Sequence, residues 1–187
     1  MNQPSKTLDT WRRFHWMFFV QTQGIIITLE RFRRCLESHE IANARLELTT
    51  AADLLRASAA AMELAGDYTP NDYANEVRPS MMPPSVKSNN FSGMMSWDHT
   101  ALIQLWQDMH SLFRKLPDEL TDTHKDFVNA YRSVATAHRA VCQRFGGAES
   151  GSLRNTEDAA TAVLDRFQKS RTNLIAPKGV RGCPAHP

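Results

Sequence analysis

The sequence has three cysteines in 187 residues, and they stand far apart at Cys35, Cys142 and Cys183. An odd number without a CxxC or CxxCH spacing excludes a disulfide framework and the usual c-type haem attachment, and it points to a reducing, cytoplasmic setting. Charge of one sign is also missing. With 22 basic and 20 acidic residues the net charge is +2, too balanced for a chain whose main business is nucleic acid. Long hydrophobic runs are absent as well. The most apolar stretch, residues 16–29, is broken by Gln21-Thr22-Gln23 and is too short to span a bilayer, and residues 1–15 lack the layout of a signal peptide. No segment alternates with period two, and neither HExxH, a P-loop, GxGxxG, GxSxG nor any Glu-x-x-His pair occurs. The zincin, nucleotide-binding, α/β-hydrolase and di-iron bundle chemistries are thereby excluded.

What the chain does have is helical periodicity. Hydrophobic residues make up 42% of it, enough for one buried core without staples. Apolar positions at spacings of three and four predict helices over residues 9–39, 41–65, 96–115, 121–145 and 155–171, with a short one opened by Thr69-Pro70 and closed by Pro79. Gly66 reads as a left-handed stop, and the irregular stretch 79–92 as a functional or mobile loop. The expected class is all-α: a bundle of five to six helices in a single domain, residues 1–175, followed by a flexible tail, 176–187. In the fourth helix Trp97 is placed on the core side.

The 121–145 helix carries a seam of Phe127, Tyr131, Val134, His138, Val141 and Phe145. An imidazole in such a stripe is mostly neutral, because desolvation disfavours its charged form, and a neutral ring has one lone pair to give. Two readings stand on periodicity alone: a core histidine bonded to a neighbour, or a metal ligand. His39, His99, His110 and His124 each have a carboxylate within two positions and read as solvated.

Three segments resemble the haem-dependent tryptophan 2,3-dioxygenase superfamily, in that family's order. The first holds Tyr131-Arg132, His138, Arg144, Gly147 and Ser150-Gly151; the second Thr69-Pro70, Tyr73, Arg78, Ser92-Gly93 and Ser96; the third runs from Phe18 to Glu37. The family's Phe-Gln pair is Met94-Met95 in this chain, and Thr22, beside Gln23, stands where the family has its distal histidine. The resemblance implies haem b with His138 as the proximal iron ligand. It implies Arg144, Gly147 and Ser150 as further cofactor contacts, and Arg78 pairing with a substrate carboxylate near Ser92 and Gly93. Phe18 and Trp97 would wall the substrate, and Thr22 and Gln23 would face the distal side. The implied activity is a dioxygenation or hydroxylation of an amino-acid or indole-like molecule with O₂, by a homo-oligomer, in secondary metabolism. A non-catalytic haem carrier or helical interaction protein is the alternative.

Overall fold

In a computed structural model the described residues are 5–87, 96–145 and 158–177. They are helical throughout, with no strand among them. The five long helices are α1 (Lys6–Glu37), α2 (Ile41–Ala65), α5 (Trp97–Asp108), α7 (Thr121–Arg144) and α8 (Ala160–Ile175). Short α3 (Pro70–Asp72) and α4 (Arg78–Ser80) flank a π-helical turn, Tyr73–Val77, and α6 (His110–Phe113) follows α5 after a break at Met109. The run from Pro70 to Ser80 therefore passes through Pro79, which sits in the first turn of α4, where a missing N–H costs nothing. Capping explains the starts. Ser5 accepts from the Leu8 amide, Thr69 and Asp72 form a reciprocal capping box, and Ser96 accepts from the His99 amide. No helix among the described residues is long and apolar enough to cross a membrane.

α2 is the centre of the bundle because its buried surface is made largely of alanine. Ala44, Ala51, Ala52, Ala59 and Ala61 are all buried, so α1 can pack on one side of it and α7 on the other. Around this contact Phe32, Phe113, Phe127 and Trp106 form one aromatic core, with Phe32–Phe113 and Phe113–Phe127 centroids 6.3 and 6.1 Å apart. The salt bridge Arg56–Asp126 joins α2 to α7 at the surface.

Two expectations are corrected here. Gly66 has φ −99°, not a left-handed conformation; its glycine is required by crowding, since a Cβ there would lie 2.8 Å from Cγ2 of Val141. His124 is not solvated. It is buried against Phe113, with Nε2 2.6 Å from the Ile175 carbonyl, while Nδ1 of His110 lies 3.1 Å from the Leu174 carbonyl. The two imidazoles serve carbonyls of the last turn of α8, groups that a helix end leaves unpaired. Past that point Ala176 donates to the Thr172 carbonyl and Pro177 is buried. Residues 178–187 lie outside the described part.

Gly66→Ala should destabilise the protein by about 1–3 kcal/mol, the usual cost of overpacking. Urea unfolding reads this directly, and adding Val141→Ala should recover most of the loss. An unchanged midpoint in the single variant would show that the α2–α7 approach is not limiting.

Candidate active site on the His138 helix

His138 lies on α7 where three helices meet. Its side chain keeps partial surface access, yet enough protein surrounds the ring to push its pKa down to about 4. Desolvation is the main cause; the Arg171 guanidinium from α8 and the His15 imidazole from α1 add to it. The ring makes no hydrogen bond among the described residues. A neutral imidazole keeps one nitrogen lone pair for a metal, although among the described residues no acceptor takes the N–H of its second nitrogen, the bond that usually orients a metal-ligating histidine.

The surroundings are built residue by residue. Two turns before His138, the buried Tyr131 takes a hydrogen bond from Arg171, whose guanidinium also lies 4.9 Å above the Phe167 ring. Trp106 of α5 meets Tyr131 edge-on at 5.0 Å, and its Nε1–H is buried without a partner. Such an orphaned donor marks a place where a further polar group would be accommodated. On α1, His15 stacks on Trp11 at 4.9 Å and meets Phe19 at 5.0 Å, and burial lowers its pKa as well. In their chemistry these residues suit a haem-type group, with His138 as a neutral nitrogen donor and Arg171 as a cation for acidic substituents.

A second cluster begins one turn after His138. Burial raises the Cys142 thiol to about 11. The same crowding raises Tyr68, with Tyr73 and Cys142 adding to the effect and Arg144 opposing it. Tyr68, Tyr73 and Phe145 stack nearly parallel, with centroids 4.9 Å apart for Tyr68–Phe145 and 4.6 Å for Tyr73–Phe145. Arg78 donates to the Tyr73 hydroxyl at 3.4 Å, and Arg144 donates to the Gly66 carbonyl at 2.9 Å. The fold thus gathers Tyr73 and Arg78 of one motif and Arg144 of another around one aromatic stack. An open surface depression at the α1–α2 turn, lined by Arg31, Arg34 and Cys35, contains none of these groups.

Other expected residues part from the site. Trp97 is 90% exposed at the first position of α5 and not on its core side, because the inward side of that helix is set by Leu102, Leu105 and Trp106. Gln23 is exposed and reaches Asp98 at 3.4 Å, since one residue of helix turns it away from Thr22. Thr22 is buried, but its hydroxyl is spent on the Phe18 carbonyl at 2.9 Å. Phe18 is half-buried. Ser92, Gly93, Gly147 and Ser150 lie outside the described residues. His15, Tyr131 and Arg171 were missed as a group. His15 and Tyr131 occupy seam positions of their helices, but nothing local marks Arg171.

The sequence profile of the family described as "SfmD 3-methyl-L-tyrosine peroxygenase" matches residues 1–123. The 3-methyl-L-tyrosine peroxygenase of Streptomyces lavendulae is 27% identical over 171 residues, which is 90% of this chain and 47% of that protein. An alignment of that length on a chain of 187 residues takes in His138 wherever it starts. The chain spans about half the length of this curated relative. No solved structure matches it.

Buried imidazoles also make the fold acid-labile. The folded pKa of His15, His124 and His138 lies below the usual 6.5, so the unfolded chain binds more protons in acid and stability falls as pH drops below about 6.5. For His138 the window closes near 4. Urea unfolding of cofactor-free protein at about pH 7 and about pH 5 should show this loss, and His138→Gln should reduce the difference by up to about one proton's worth of slope. An identical slope in the variant would mean that the ring is protonated freely in the folded state.

Proposed function

Because the chain belongs to the 3-methyl-L-tyrosine peroxygenase family, we propose that it is an oxygenase of secondary metabolism that holds a haem-type cofactor through His138 and acts on an aromatic amino acid. The observation that supports this reading best is the neutral imidazole of His138, half-buried on α7 with Arg171 of α8 and His15 of α1 within electrostatic reach. The likeness to the tryptophan 2,3-dioxygenase superfamily assigns the same residue as the iron ligand. Peroxide replaces molecular oxygen as the oxidant in this reading, after the activity in the relative's name. One oxygen atom of the peroxide enters a C–H bond of the substrate and the other leaves as water.

When bound, the haem supplies oxygen activation; the protein supplies binding, orientation and proton handling. His138 donates its lone pair, and the packing around it keeps the proton off. Arg171, fixed by Tyr131, sets a positive charge beside the ring and suits an acidic substituent of the cofactor. The flat surfaces of Tyr68, Tyr73 and Phe145 suit a phenolic ring, and Arg78 beside them suits the amino-acid carboxylate. Arg144, Ser92, Gly93, Gly147 and Ser150 are assigned to cofactor or substrate contacts by the resemblance. Proton transfer falls to His15, in place of Thr22 and Gln23: it is neutral near pH 7 and the titratable group that faces His138 from α1.

Three variants test this. His138→Ala should lose the Soret band of hemin-reconstituted protein while keeping its helical circular dichroism. His15→Ala should keep the band and lower peroxide-driven turnover by about 100-fold. A His138→Ala protein with an unchanged haem spectrum sinks the ligand assignment. Arg78→Ala should raise KM for tyrosine-type substrates by roughly 10-fold or more with little change in kcat, as expected for loss of a charge-assisted hydrogen bond. Equal KM values would place the carboxylate elsewhere.

A further inference from the structure

α1 has two faces. The inward one follows Phe18, Thr22, Ile25, Leu29, Phe32 and Leu36, all buried or half-buried against α2 and the aromatic core. The outward one follows a second strict alternation of four and three: Asp9, Arg13, Trp16, Val20, Gln23, Ile27, Glu30 and Arg34. Two residues separate the seams, about 200° of helix, so they lie nearly back to back. The middle of the outward seam is apolar and uncovered: Trp16 is 69% exposed, Val20 56% and Ile27 58%. The Gln23–Asp98 contact sets the N-terminus of α5, with its exposed Trp97, beside the centre of the seam. Among the described residues this coiled-coil-like seam is touched only at Gln23, by the N-terminus of α5, and its apolar residues stay exposed.

We propose that this face pairs with a second copy of the chain, α1 against α1 in antiparallel orientation. The charges at its ends select that arrangement. With a two-fold axis between Val20 and Gln23, Trp16 meets the partner's Ile27, Arg13 meets the partner's Glu30, and Asp9 meets the partner's Arg34. A parallel pair would set each charge against its own kind. Within one chain Asp9 and Arg13 pair at 2.7 Å and Glu30 pairs with Arg33 at 2.5 Å, exposed contacts that hold little energy and leave oxygen lone pairs and N–H groups for a neighbour. From Asp9 to Arg34 the seam is roughly 37 Å long, an extended line of contact for a two-helix interface. The pairing is independent of the catalytic reading.

Analytical ultracentrifugation of the full chain tests it. The expected result is a dimer at micromolar concentrations that Val20→Glu converts to a monomer of unchanged helicity. Arg13→Glu alone and Glu30→Arg alone should each weaken dimerisation by about 10-fold or more, and the two together should restore it. Intrachain effects would add rather than cancel, so rescue reports the contact between copies. A chain that stays monomeric at about 100 μM overturns the proposal, as does a dimer indifferent to Val20→Glu. Failure of the double variant to recover overturns the antiparallel register. A monomer whose Trp16 fluorescence shifts only with phosphatidylserine vesicles would give the face to a lipid surface instead.

Discussion

The site depends on the desolvation of one imidazole. His138 stays neutral because three helices crowd it while a cationic guanidinium stands beside it, and both effects raise the cost of a proton. That crowding is possible only because α2 presents alanines to both neighbours, letting α1 and α7 close on it. Small residues in the middle of the bundle therefore fix the electrostatics of a ring some distance away, through the spacing of helices rather than through any direct contact.

α8 ties fold to site more tightly than its length suggests. Its last turn is held by imidazoles from α6 and α7, and its middle carries Arg171 to Tyr131 and the His138 region. The hydrogen bonds that close a helix end thus also fix the position of a charge in the site. A similar economy holds at Gly66, where the end of α2 meets Val141 and its carbonyl receives Arg144, one helical turn from the aromatic stack. Under the proposed function these arrangements share one purpose, which is to keep one nitrogen lone pair free and an aromatic substrate oriented near it.

α1 is shared between that chemistry and the outside of the molecule. Its inner seam carries Phe18 and Thr22 into the bundle, and His15 approaches His138 from the same helix. Its outer seam repeats the same spacing with tryptophan, valine and isoleucine in water. A helix of 32 residues with two such faces accounts for the strong hydrophobicity of residues 14–29, which burial in a single core would leave only half explained.

The helical class, the five long helices and the seam holding His138 were legible in the sequence, because helix formation and amphipathic spacing are local properties of the chain. Tyr73 and Arg78 stood in one motif of the sequence, but that Arg78 donates to the Tyr73 hydroxyl is a fact of the structure alone. The roles of Trp97, Gln23 and His124 were not legible. Their neighbours in sequence are polar or apolar in ways that fit either burial or exposure, and the decision rests on what another helix brings to them. His15 and Arg171 came within electrostatic reach of His138 only when α1 docked on α2 and α8 on α7. Periodicity settles which residues share a face; whether that face meets protein or water is decided by contacts between elements far apart along the chain, and a single strand of letters carries no distance between them.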